Sequence, residues 1–158
     1  MPDDTAASSL PTSRKLRIAY VADVFGVSFL GGVQSSNRFV EALRERYEVT
    51  VITTGEPGEG LVTFPSWYIP GFRRLQEGSG FAFAWPNAKK LEEALRGFDL
   101  VHVQYALPLG YMAKHLAEKL GIPTVCASHV QPENMRYTLH IDSRIFDWIG
   151  HLLYRFFI

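Results

Sequence analysis

The sequence predicts an α/β fold: a Rossmann-like, doubly wound, mainly parallel sheet with helices on both faces. Three observations predict it. Apolar strand-like runs alternate with amphipathic helical stretches from Leu16 onward. The first of these strands is apolar without alternation, the pattern of a strand covered on both faces. Gly31-Gly32 then stands at the mouth of a helix, directly after that strand and its loop. Paired glycines there let an anionic ligand approach the backbone, facing free N–H groups and the positive end of the helix dipole.

Each element follows from its own pattern. Leu16–Ala22 is the first strand. The helix after Gly32 places Phe39, Val40, Leu43 and Tyr47 at spacings of three and four, one inward stripe. Glu48–Thr54 is a β-branched strand, and Leu61–Phe64 is a short further one. From Pro65 to Pro86 the pattern is irregular. Pro70-Gly71 and Gly78–Gly80 punctuate it and Trp67, Tyr68, Phe72, Phe81, Phe83 and Trp85 crowd it, so a long aromatic loop is expected. Asn87 caps a helix running to Arg96, with Leu91 and Leu95 inward and Gly97 ending it. Asp99–Tyr105 is a strand. Pro108–Leu120 is a helix with Leu109, Met112, Ala113, Leu116 and Leu120 on one stripe, closed by Gly121. Ile122–Ala127 is again a strand, and an apolar helix begins near Asp142.

The totals exclude several classes. With 158 residues the chain is long enough for one domain with its own core. Apolar residues make up 47% and charged ones 20%, a globular and not a disordered balance. Sixteen basic and sixteen acidic side chains cancel, which gives no basic footprint for nucleic acid. A single cysteine, Cys126, rules out an internal disulfide framework and reads as a small core residue. Residues 1–14 are polar, without the basic end and apolar run of a secretory signal, and are expected to be a disordered leader. The default location is cytoplasmic. The chain ends inside an apolar helix on Phe156-Phe157-Ile158. That ending is expected of a truncated gene lacking a second half, the alternative being a natural terminal helix docked on the core.

Several residues stand where chemistry is done. Gly31 and Gly32 do not form GxGxxG or a P-loop, which disfavours nicotinamide, flavin and simple nucleotide-triphosphate binding. A plain turn is the competing account, and Gln34, Ser35 and Asn37 in the first helical turn favour a ligand. His129 follows a strand end and precedes Gln131, Glu133 and Asn134 around Pro132. In open α/β sheets that edge is where ligands bind. A structural histidine is the alternative. His102 and Gln104 share one face near the end of their strand, either in the same crevice or as satisfied core polar groups. No histidine or cysteine has metal-ligand spacing, no Asp-x-Asp pair occurs and no GxSxG elbow exists. Neither a metal nor another cofactor is expected.

Three stretches resemble the N-terminal, acceptor-side domain of a GT-B glycosyltransferase of the family 4 type. They are the strand–loop–GGVQSSNRFVEALRE unit, DLVHVQYALPLGYMAKHLAEKLGIP and TVCASHVQPEN, together spanning Leu16 to Asn134. The resemblance implies two Rossmann-like domains facing a cleft, residues 15–158 forming the N-terminal one. It implies a nucleotide-diphosphate sugar as co-substrate, an acceptor that is a sugar or a lipid, and transfer with retention of anomeric configuration. The donor-holding C-terminal domain would be missing, leaving this fragment inactive alone. By the same resemblance Gly31, Gly32 and Gln34 approach the donor diphosphate, and His129 lies beside the reacting sugar carbon as the catalytic residue. His102, Gln104, Gln131, Glu133 and Asn134 line the cleft or the acceptor side.

Two aromatic features bear on the acceptor. The Trp67–Trp85 loop with Arg73-Arg74 is suited to stacking on sugar rings or meeting a lipid, and the terminal helix to peripheral contact at the inner membrane face. Internal packing is the competing account of both. A noncatalytic nucleotide- or sugar-binding module using the same crevice is the alternative function, and an inactive fragment is a third.

Overall fold

The structure is a computed structural model that describes residues 14–26, 31–68, 70–71, 73–79, 83–127 and 155. Residues 1–13 of the expected leader, His129, Gln131, Glu133 and Asn134, and nearly all of the expected terminal helix lie outside the described residues. The elements run β1 (Arg17–Val21), α1 (Gly31–Arg44), β2 (Glu48–Thr54), β3 (Leu61–Phe64), β4 (Ser66–Trp67), α2 (Arg73–Ser79), β5 (Phe83–Ala84), α3 (Ala88–Leu95), β6 (Leu100–Val103), α4 (Pro108–Lys119) and β7 (Thr124–Cys126).

Five strands form one parallel sheet in the order β3-β2-β1-β6-β7. β1 is central, with Ala19 opposite Thr50 on one side and Val101 on the other. Its continuous apolar run is explained by cover on both faces. Ala19 and Val21 join Ile52, Val101 and Val103 under Leu91 and Leu95 of α3 and Leu109 and Ala113 of α4. Ile18 and Tyr20 join Val49 and Val51 under Val40 of α1. The fold is therefore α/β and Rossmann-like, with helices on both faces.

β2 and β3 have the bounds expected from their β-branched runs. Others are shorter. Asp99 precedes β6 because its carboxylate accepts the Arg17 N–H (2.8 Å) and a two-pronged contact from Arg14 (2.6 and 2.9 Å). Arg14, expected at the end of a leader, is thus tied to the sheet's amino edge. β7 starts after Pro123, whose ring leaves no N–H for the ladder. Asn87 caps α3 as expected, its side-chain oxygen accepting the Lys90 N–H at 3.0 Å.

Two expectations are corrected. The segment from Pro65 to Pro86 is not a featureless loop. β4 and β5 pair antiparallel, Ser66 opposite Ala84 and Trp67 opposite Phe83, and α2 lies between them. Strands of two residues carry no periodicity for a sequence pattern to detect. Phe39 is not inward: it is 44% exposed. Its ring lies instead over His102, centroids 5.2 Å apart, and near Tyr20 at 6.1 Å. Tyr47 lies beyond the end of α1, where its N–H donates to the Leu43 carbonyl (2.9 Å). Among the described residues no helix is long and apolar enough to cross a membrane.

α4 packs so closely on β6 that Gly110 has no room for a side chain. A Cβ there would collide with the Tyr105 carbonyl oxygen and with Val103 Cγ1, at 2.7 Å. Backbone oxygen does not yield as a side-chain tip does. Gly110→Ala is expected to destabilise the protein by roughly 1–3 kcal/mol, a typical cost of overpacking. A urea-unfolding midpoint unchanged by the substitution would contradict this packing.

Candidate functional site

The chain leaves β1 for β2 on one side and returns to β6 on the other. Connections therefore diverge above the carboxyl ends of β1 and β6, and a crevice opens where nothing crosses. The N-termini of α1 and α4 end at this edge. A cavity of about 220 Å³ lies there, lined by Ser35 and Phe39 of α1, His102 and Gln104 at the end of β6, and Ala127 just past β7. Ladder bonds continue to its rim: Gln104 N–H donates to the Val21 carbonyl and Ala127 N–H to that of Val103, both at 2.8 Å. His102 and Gln104 are both largely buried. The His102 ring packs between Tyr20, centroids 4.8 Å apart, and Phe39.

Gly31 and Gly32 stand in the first turn of α1 rather than before it. Neither has a left-handed backbone. A Cβ on Gly32 would meet the Tyr105 hydroxyl at 3.1 Å, so close packing already accounts for that glycine. Among the described residues a Cβ on Gly31 would meet nothing within 4 Å, so neither their packing nor the backbone angle calls for a glycine there. The polar side chains that follow divide. Ser35 faces the cavity. Asn37 is turned to the backbone: its amide accepts the Gly26 N–H (3.1 Å) and donates to the Gly26 carbonyl (2.7 Å), clamping the β1–α1 loop. Gln34 is exposed and does not line the cavity. The structure thus gathers His102 and Gln104 in one cavity with Ser35 and Phe39 of α1, while Gly31 and Gly32, at the start of that helix, do not line it. His129 lies outside the described residues, two positions beyond Ala127.

Sequence reasoning missed Asp23. It follows β1, is fully buried and accepts the Ala84 N–H on Oδ1 at 3.2 Å, while Oδ2 has no partner among the described residues. The Asp23 backbone carbonyl takes the Thr54 hydroxyl at 2.7 Å. Burial pushes the carboxyl up to about 7, against the pull of the Ala84 N–H and of the Leu109 and Gly110 N–H groups at the start of α4. A lone acidic residue after an apolar strand was the available signal. Tyr20, beneath the same edge, is pushed up to about 12, mainly by burial, and stays a neutral phenol. No group of three histidine, cysteine, aspartate or glutamate side chains is placed to hold a metal among the described residues.

A second cleft, of about 500 Å³, lies at the amino edge between residues 96–99 and 120–123. It is larger, but α1 and α4 do not begin there. Both charged groups lining it are already engaged: Arg96 pairs with Glu92 at 2.7 Å, and the Arg17 backbone N–H and the Arg14 guanidinium hold the Asp99 carboxyl below the usual range. The carboxyl edge is the better site on chemistry.

The family model described as Glycosyltransferase Family 4 matches residues 30–158 of this chain. No curated protein shows a significant sequence match. Among solved structures, the chain is similar to a ugt transferase from Siraitia grosvenorii in complex with UDP. The two share 12% identity at a TM-score of 0.39, over 80% of this chain and 26% of that one. The chain thus aligns with about a quarter of that protein's length.

Asp23 titrates in a way that stability reports. Its folded value lies above the unfolded one near 4, so the neutral carboxyl favours the folded state fully below pH 4. That contribution is lost as pH rises through 7. Relative to Asp23→Asn, the wild type is expected to lose roughly 2–4 kcal/mol of stability between pH 4 and pH 7. Parallel pH–stability curves for the two proteins would contradict the burial of this carboxyl.

Proposed function

The chain belongs to glycosyltransferase family 4, and from that premise we propose that it forms the acceptor-side wall of a retaining glycosyltransferase. The observation that carries the reading is the cavity between Ser35 and Phe39 of α1 and the ends of β6 and β7, at the switch point of the sheet and beside the start of α1. The substrates are a nucleotide-diphosphate sugar and an acceptor hydroxyl. A donor-holding domain completes the cleft, and residues 1–158 alone do not turn over.

On this reading the bond from the sugar's anomeric carbon to the diphosphate breaks as the bond to the acceptor oxygen forms on the same face. The leaving phosphate oxygen takes the acceptor proton, so no protein nucleophile or metal is required. The free N–H groups at the start of α1 stabilise charge gathering on the diphosphate. Gly31 lets that diphosphate reach the backbone, a role suited to a glycine whose Cβ position meets none of the described residues. Gln104 and His102 shape the acceptor side. His129, with Gln131, Glu133 and Asn134, faces the sugar, its ring or backbone carbonyl steadying positive charge at the anomeric carbon. A noncatalytic binding module would use the same cavity without transfer.

Transfer assays on the complete enzyme with UDP-, GDP- and ADP-sugars separate the two. Gly31→Ala is expected to leave stability unchanged or raise it by up to about 1 kcal/mol, since alanine is the better helix former. It is expected to lower transfer at least tenfold. Full activity in Gly31→Ala would remove the diphosphate from this helix end. Nucleotide-sugar binding without turnover in the complete protein would favour the binding module.

A further inference from the structure

An open groove of about 470 Å³ lies where the hairpin meets α4. Trp85 and Pro86, just past β5, form one wall. Residues 106–108 and one face of α4 form the other. Asp23 reaches both walls from the end of β1. Its Oδ1 accepts the N–H of Ala84, the residue before Trp85, at 3.2 Å. The same carboxyl feels the N–H groups of Leu109 and Gly110, which follow Pro108 in the first turn of α4. α4 has no cap of its own to offer those groups: Leu107, at the N-cap, carries no polar side chain. Asp23 thus does for α4 what an N-cap side chain ordinarily does.

A carboxylate in that place would hold its charge without water. Asp23 is fully buried, and Oδ2 has no partner among the described residues. No charged side chain among them offsets it, since burial and backbone N–H groups account for its shift. The charges on the surrounding elements are paired elsewhere. Arg17 and Glu48, at the starts of β1 and β2, meet at 3.4 Å. On α4, Lys114 meets Glu118 at 2.8 Å and Lys119 meets Glu92 at 3.0 Å. β5 carries no charged residue. Tyr111 and His115 are the titratable groups on the groove's wall. The Asp23 carboxyl is therefore favoured neutral while enclosed, and ionised once water reaches it.

We propose that Asp23 is a proton-operated clasp on this groove: with its carboxyl neutral the hairpin and the start of α4 stay closed on it, and ionisation favours a form in which they part and the carboxylate meets water. The proton passes to solvent, and no other group changes. The opening is local, because the β1 ladder ends at Val21 and its pairing with β2 and β6 does not use the Asp23 side chain. The device does not depend on what the cleft binds.

The closed form titrates at about 7 and an opened one near 4, so the closed form holds the proton more tightly. Opening is rarest below pH 4, grows about tenfold per pH unit from there to 7, and levels off above. Amide hydrogen exchange on the full chain, corrected for the intrinsic pH dependence of exchange, reads it directly. The opening constants of Ala84, Leu109 and Gly110 are expected to rise roughly 50-fold from pH 5 to pH 7. They are expected to ignore sub-denaturing urea, because a local opening exposes little surface, whereas those of Ala19 and Tyr20 in β1 rise with it. Asp23→Asn keeps the shape but cannot ionise, leaves Tyr111 and His115 in place, and is expected to flatten the pH profile.

Opening constants that do not change with pH in the wild type overturn the proposal without recourse to the variant. A rise that persists in Asp23→Asn belongs to another group and overturns it as well. A rise as steeply dependent on urea as that of the β1 amides would mean that Asp23 acts only through global unfolding, and the clasp would be lost.

Discussion

The architecture depends on one constraint: β1 is paired in parallel on both edges and covered on both faces. A strand so enclosed has no exposed backbone and no polar face, so Ile18, Ala19, Tyr20 and Val21 are all buried. With β2 on one side and β6 on the other, the connections must part above β1. The crevice they leave is a consequence of topology and not of any one side chain. Everything placed at the carboxyl edge then works within that gap: the start of α1, the Gln104 end of β6, Asp23 and the hairpin that Asp23 holds.

The two sheet edges have different chemistry. At the amino edge the Arg14 guanidinium and the Arg17 backbone N–H satisfy Asp99, and its charge is spent there. At the carboxyl edge, helix N-termini, a buried carboxyl and aromatic rings gather without such closure. Asp23 joins the end of β1 to Ala84 of the hairpin, and so links the sheet to the aromatic wall of Trp67 and Trp85.

Much of this was legible in the sequence where signals were long and periodic. The β-branched runs fixed β2 and β3 to the residue, and Asn87 announced α3. His102 and Gln104 were traceable to one place because alternate strand residues share a face. The hairpin was not legible, since two-residue strands leave no period and its partner lies sixteen residues away in sequence. Phe39 was misjudged because helical spacing cannot say whether a stripe's margin meets core or cavity. Asn37 looked like a ligand group, yet it closes a loop, as a side-chain amide can serve backbone and ligand equally well. Asp23 escaped notice because burial, and the shift it causes, comes from elements distant in the chain.

The central claim is that the sugar nucleotide meets the carboxyl edge of this sheet. Hydrogen–deuterium exchange on the complete protein, with and without UDP-, GDP- or ADP-sugars, tests it most directly. The account predicts slowed exchange in residues 31–35 and 102–104 with the productive donor. Slowing confined to residues 96–99 and 120–123, around the amino-edge cleft, would contradict it.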